Sequence, residues 1–299
     1  MIAIDLGSNT IRFIEYDGVH WGNRFEKIVR AAESLHDTGM IGENAIVRIL
    51  NAIDEAHAHL DFSNQEIVAV TTAAVRMAAN AHEVLDRIHR QSGIRFTIID
   101  GDTEAKLTLL AVQNRLNQLN LTGNRFILAD IGGGSTELIY VDHGNTNATS
   151  LGVGIVTMSE KAADELELHH LLDAFEEQVR EYINSVPIKE KLDMLVLTAG
   201  TPTTIAAYRR GMNYTSYNPE KINGYKLTDE DCLQTYTELM DMEESQRAYY
   251  VGVGRERLIA TGIMMVHRLF KGVNMFEAII VDDSLREGVA INYFNSTPL

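Results

Sequence analysis

Residues 126–141, FILADIGGGSTELIYV, set an acid and three consecutive glycines between two apolar runs. Phe126–Ala129 and Leu138–Val141 read as buried strands, and Asp130–Glu137 as the turn between them. Glycine weakens a strand end unless the backbone must bend sharply or approach something closely. A turn this rich in glycine can aim several N–H groups at one point, and an anion such as phosphate is the natural ligand. Taken alone, the triplet fits an ordinary hairpin better. The chain, however, opens on a near copy: IAIDLGSNT at 2–10, followed by an apolar run at 11–16. Both passages run strand, acid, apolar residue, glycine, small polar residues, strand. Two copies in separate halves of one chain point to an internal duplication of an α/β unit.

The flanking sequence agrees. The first half predicts strands at 2–6, 11–17, 24–30, 66–71 and 94–99, and helices at 43–60, 80–91 and 102–119. Within 43–60, Ala45, Ile46, Ile49, Ile53 and Ala56 fall at helical spacing. The second half predicts strands at 125–130, 136–142, 148–151, 193–198 and 277–281. Its helices are expected at 155–166, 172–184, 201–210, 228–240, 254–270 and 284–294. Residues 120–124, short, polar and containing glycine, form the best linker. The domains are therefore expected at 1–122 and 123–299, with the last helix, about 284–299, packing back on the first lobe. Two such lobes would put the paired turns on either side of a cleft, a usual place for a small-ligand site.

Composition narrows the function. The chain has 299 residues, 45% apolar and 23% charged, an ordinary globular balance. A formal net charge of −16 argues against nonspecific nucleic-acid binding, which needs a basic surface. It leaves room for a local phosphate pocket. The single cysteine, Cys232, rules out an internal disulfide and fits a cytoplasmic setting. It sits in an acidic run that disfavours the thiolate, so it reads as structural. No segment resembles a signal peptide or approaches the ~20 apolar residues of a membrane span. The ten histidines include no pair with metal-site helical spacing.

Several side chains could do chemistry. Asp5 and Asp130 end equivalent strands. A carboxylate beside a phosphate calls for a divalent cation, and Mg²⁺ suits one or two carboxylates plus waters and phosphate oxygens. Ser8, Asn9, Thr10, Ser135 and Thr136 can donate to phosphate oxygens, although turn capping would occupy them equally well. Glu137 can hold a metal-bound water or orient the attacking one. Glu104 follows the strand at 94–99, in the first turn of a helix capped by Asp102 or Thr103. It either complements the helix dipole or acts as general base. Arg76 can stabilise charge on a transferred phosphoryl group. Gly200 and Thr201 open a helix with Pro202 in its first turn, a weak nucleotide site.

At these positions the sequence resembles the exopolyphosphatase/guanosine pentaphosphate phosphohydrolase family, within the superfamily of actin, heat-shock ATPases, and acetate and sugar kinases. The carriers are AIDLGSNT at 3–10, TTAAVR at 71–76, GDTEAKL at 101–107, DIGGGSTEL at 130–138, LGVGIV at 151–156, TAGTPTT at 198–204, GRERLIATG at 254–262 and DSLREGV at 283–289. The resemblance implies two ribonuclease-H-like lobes and Mg²⁺-dependent hydrolysis of a terminal phosphoanhydride. The substrate would be polyphosphate or guanosine pentaphosphate, with guanosine tetraphosphate as a further ligand. It places the family's catalytic glutamate on Glu104, its second phosphate loop on Asp130 and Gly132, its further glutamate on Glu137 and its phosphate-contacting arginine on Arg76. The phosphate-binding set becomes Gly7, Ser8, Asn9, Thr10, Gly132, Gly133, Gly134, Ser135 and Thr136, and the metal set Asp130, Asp5 and Glu137. Thr103 and Ala199 depart from the pattern, standing where relatives carry an acid and a glycine. No C-terminal HD-type domain is expected, and self-association stays open. The other readings are a guanosine tetra- or pentaphosphate sensor with little hydrolysis, an ATP-dependent kinase, and an inactive scaffold.

Overall fold

The first strand, Ile2–Leu6 (β1), is buried at every position, as a strand covered on both faces must be. The structure is a computed structural model that describes residues 1–121, 123–188 and 191–295. The chain divides into two compact units, one of Met1–Ala111 with the residues from Asp283 on, the other of Val112–Asp282. The division falls inside a helix, ahead of the linker expected at 120–124, whose Thr122 lies outside the described residues.

In the first unit, β1, β2 (Thr10–Tyr16) and β3 (Trp21–Ile28) form an antiparallel meander. After α1 (Leu35–Thr38) and α2 (Glu43–Ala56), β4 (Ile67–Thr71) joins β1 in parallel. Then α3 (Ala73–Met77) and α4 (Ala81–Ser92) lead to β5 (Phe96–Ile98), parallel to β4, and to α5 (Gly101–Gln118). The sheet order is β3-β2-β1-β4-β5. The helical spacing read in the sequence is the buried face of α2, where Ala45, Ile46, Ile49, Ala52, Ile53 and Ala56 are all buried.

The second unit repeats the plan. Strands β6 (Arg125–Ile131), β7 (Thr136–Asp142) and β8 (Asn145–Leu151) form the meander. Helices α6 (Ile155–Lys161) and α7 (Glu165–Ser185) precede β9 (Met194–Thr198), which is parallel to β6. Helices α8 (Gly200–Arg209) and α9 (Pro219–Ile222), then β10 (Tyr225–Thr228), α10 (Asp229–Met240), α11 (Glu244–Val251), α12 (Ile259–Val273) and β11 (Glu277–Ile280), complete it. Its order, β10-β11-β9-β6-β7-β8, contains the first sheet's order with one added edge strand. This shared plan is the ribonuclease-H-like arrangement, present once in each unit. The second core brings Ile127, Leu195 and Leu197 of the sheet together with Phe175, Val179, Val266 and Phe270 of α7 and α12.

Local chemistry explains the differences from the sequence reading. The helix expected over 155–166 stops at Lys161, because Asp164 caps a new one by accepting from the Glu167 amide at 2.8 Å. The helix expected from 254 starts at Ile259, because Gly252 and Gly254 hold φ of +93° and +92°. Strand β10 is a four-residue edge, too short to carry a pattern.

The last helix (α13, Leu285–Phe294) belongs to the first unit, where Leu285, Val289 and Ala290 pack with Ala3, Ile14, Val70 and Leu107. Residues 296–299 of the helix expected there lie outside the described residues. The contact with α5 needs a glycine: a Cβ on Gly288 would sit 2.0 Å from the Leu107 carbonyl oxygen. Glycine inside a helix ordinarily costs about 1 kcal/mol relative to alanine. Gly288→Ala is nevertheless expected to destabilise, by about 1–3 kcal/mol, because backbone must move to admit the methyl. The sign of the shift in urea midpoint checks this, and a stabilised variant would refute the contact.

Candidate active site

Both glycine turns are built the same way. The Gly7 amide donates to the Thr10 carbonyl at 2.9 Å, and the Gly132 amide to the Ser135 carbonyl at 3.0 Å. These two N–H groups therefore close the turns and are withdrawn from the expected phosphate-binding set. In each unit, the segment after the third strand then ties down the turn's carbonyls. Val29 and Arg30 donate to Asn9 O and Ala32 to Ser8 O, at 2.8–2.9 Å. Ile155 donates to Gly132 O, and Val156 and Thr157 to Gly133 O, at 2.8–3.2 Å. With its carbonyls fixed on one side, a turn presents its amides on the other. Among the described residues, the amides of Ser8, Asn9, Gly133 and Gly134 donate to no backbone carbonyl. N–H groups left unengaged by the backbone in a tight turn suit an anion.

The hydroxyls divide. Ser8, Thr10 and Ser135 are buried within the turns. Thr136 is buried too, but its hydroxyl donates to the Val153 carbonyl at 2.8 Å, so it serves the turn rather than a phosphate. Gly154 explains the tight seat of this second turn. A Cβ there would lie 2.5 Å from Gly133 C and 2.6 Å from Ser135 N.

The acids near the strand ends sit in different electrostatic settings, set by sheet register. Asp5 pairs across the sheet with Arg12, and Arg12 with Glu26. Arg12 and Glu26 approach to 3.5 Å. At the equivalent place, Asp130 pairs with Glu137 and Glu137 with Ser150. The first row alternates acid, base, acid. The second sets two carboxylates side by side, with Glu137 only 2% exposed. Like charges directly opposite on neighbouring strands repel, the more so when buried. Ser150 meets one oxygen, its hydroxyl donating to Glu137 Oε1 at 2.7 Å.

Glu104 lies at the start of α5, buried at 9% exposure. Its helix is capped earlier than the sequence suggested. The Thr103 amide donates to Asp100 Oδ1 at 2.8 Å and the Glu104 amide to Asp100 O at 3.0 Å. Asp100 is therefore the cap, and the Thr103 hydroxyl and amide, with Lys106 and Arg76, hold its carboxyl below the usual range. Arg76 ends α3. Its Nη1 donates to the Ile99 carbonyl at 2.7 Å and stands 3.6 Å from Glu104 Oε2. The structure thus brings Arg76 and Glu104 together, from segments that the sequence could only treat separately.

The remaining positions lie in closely packed surroundings. Thr201 is buried, and a Cβ on Gly262 of α12 would lie 2.5 Å from its hydroxyl oxygen. Gly200 lies beside the Arg255 guanidinium, which a Cβ there would approach to 3.3 Å. Ala199 holds φ +75° and ψ 179°, a region that glycine alone enters without strain. Cys232 is fully buried, and burial with Asp229 and Asp231 nearby pushes its thiol up, away from the thiolate. The His57 ring bonds the Ile53 carbonyl at 2.9 Å and stacks on Phe62, while His59 stacks on Phe25. Among the described residues, no three acids, histidines or cysteines gather as a metal cluster. None of the described helices is long and apolar enough to cross a membrane.

Known proteins are similar to this chain over nearly its whole length. Exopolyphosphatase 1 of Mycobacterium leprae (strain TN) is 27% identical over 98% of this chain and 89% of its own. Exopolyphosphatase 2 of Mycobacterium tuberculosis (strain ATCC 25618 / H37Rv) is 27% identical over 97% of each. Among solved structures, the Ppx/GppA family member of Aquifex aeolicus superposes with a TM-score of 0.73 at 25% identity, covering 99% of this chain and 98% of that one. An exopolyphosphatase from Cytophaga hutchinsonii shares the fold with a TM-score of 0.82 at 22% identity, covering 99% and 97%. The model of the Ppx/GppA phosphatase family matches residues 19–296, and the chain belongs to that family.

Proposed function

We propose that the protein hydrolyses the terminal phosphoanhydride of inorganic polyphosphate, with guanosine pentaphosphate as the competing substrate. The observation that carries the reading is the row Asp130–Glu137, two buried acids in register beside an amide-lined turn. Near-full-length likeness to proteins named exopolyphosphatases supports the choice of polyphosphate.

The residues suit a hard divalent cation. Two carboxylates side by side suit a positive charge between them, and oxygen donors match Mg²⁺. A pair rather than a cage also suits it, because Mg²⁺ keeps several waters. Asp130 and Glu137 would hold it. Asp5 is set aside, because its cross-strand neighbour is Arg12 and not a second carboxylate. Bound there, the ion offsets the charge of the phosphate chain.

The protein's own groups do the rest. In each unit, the turn amides, those of Ser8 and Asn9 and those of Gly133 and Gly134, suit phosphate oxygens. Glu104 orients a water and takes its proton as the water attacks the terminal phosphorus in line. Arg76, anchored on the Ile99 carbonyl, stabilises the charge that spreads over the transferred group. In a loose transition state, positioning and charge neutralisation outweigh the strength of the base. The buried, reduced Cys232 favours a cytoplasmic setting.

The test is phosphate release by the purified protein with Mg²⁺, from long-chain polyphosphate and guanosine pentaphosphate in parallel. Release from polyphosphate that stops on chelation is expected. Saturable binding of the guanosine compound without release would make the protein a sensor. Transfer to an acceptor other than water would make it a kinase.

A further inference from the structure

We propose that Ser150 is a positioning residue for Glu137, fixing the carboxylate that holds the divalent cation. The proposal rests on the hydrolase reading above. It comes from the same three-strand row, read one strand further out. Ser150 lies on β8, an edge strand whose residues are mostly exposed. Its hydroxyl nevertheless turns to the buried Glu137 and donates to Oε1 at 2.7 Å.

That bond does two things. A serine hydroxyl has one proton, so giving it to Oε1 fixes that oxygen as an acceptor on the β8 side. Register puts Asp130 on the other side of Glu137, so the bond also sets the carboxylate in the row between Ser150 and Asp130, where an ion shared with Asp130 would be held. The first unit shows what the row does without this arrangement. Its middle position is Arg12 and its outer one Glu26, a pair that neutralises itself and asks for no cation. A neutral donor in the outer position of the second row orients the middle carboxylate without cancelling its charge. Groups of this kind, one shell out from a metal, typically affect its affinity by about 10–100-fold.

The test compares Ser150→Thr with Ser150→Val, which differ in a hydroxyl against a methyl at the same branched shape. Both residues are at home in a strand. Mn²⁺ binding to the full chain, followed by electron paramagnetic resonance without substrate and with Mg²⁺ as competitor, is the main readout. Thermal midpoints in chelator report folding separately. Ser150→Val is expected to weaken Mn²⁺ by about 10–100-fold, and Ser150→Thr to stay within about threefold of the parent. Equal Mn²⁺ affinities for the two variants, whether both like the parent or both weakened, would overturn the proposal. So would a parent protein that binds no Mn²⁺. In either case, phosphate release by the parent reports independently on whether the hydrolase reading stands.

Discussion

Glu104→Gln is expected to lower the turnover of phosphate release by about 10²–10⁴-fold, the usual share of a general base. The change keeps the side chain's shape. The helix start is held by Asp100, whose carboxylate and carbonyl receive the Thr103 and Glu104 amides, so the backbone has no reason to move. Arg76 loses its charged neighbour at 3.6 Å but keeps its anchor on the Ile99 carbonyl. An amide can still orient water and cannot take its proton. The loss should therefore fall on kcat, with KM for polyphosphate little changed. Initial rates over a substrate series separate the two. Turnover within about threefold of the parent would remove Glu104 from the base role. Arg76 would then remain as an electrostatic group only.

The same two residues show how far the sequence could be read. The strands, the duplication and the acid that leads into each glycine turn are local patterns, visible as period and composition. The pairing of Arg76 with Glu104 depends on β4 lying beside β5 in the sheet, a long-range fact that no local window contains. The contrast between the two turns was closer to the surface. DLGSNTIR and DIGGGSTE, aligned on their acids, put Arg12 against Glu137, each seven residues on. Ser150 was legible in principle as well. His143 and Gly144 both have positive φ, as the tight two-residue hairpin turn requires. Counting back from that turn pairs Ser150 with Glu137. Starting β8 at residue 148 hid the turn, because Asn145-Thr-Asn147 is polar and gives no apolar alternation. The cap on α5 was misplaced for a related reason. Asp100, Asp102 and Thr103 are all good caps, and only the chain's exit from β5 chooses among them.

Gly154→Ala carries the second large effect, and its logic is steric. Gly154 has an extended backbone, φ −133° and ψ −178°, so alanine meets no conformational penalty of its own. The obstacle is the phosphate turn itself, whose Gly133 and Ser135 backbone atoms lie 2.5–2.6 Å from where the methyl must go. Both sides of the contact are main chain, so no side chain can swing aside. The turn must move relative to α6, whose first amides hold the Gly132 and Gly133 carbonyls. A shift of even about 1 Å in groups that position a reacting substrate can cost ~10²-fold. The variant is expected to fold, to lose about 1–3 kcal/mol of stability as an overpacked site does, and to lose at least ~10²-fold in kcat/KM. Gly152→Ala is the control two residues away. A Cβ there meets nothing within 4 Å, so its activity should stay close to the parent's. Because the two variants add the same methyl to the same loop, full activity in Gly154→Ala would mean that the seat of the turn tolerates displacement. The amides of Gly133 and Gly134 would then not be the groups that hold the phosphate.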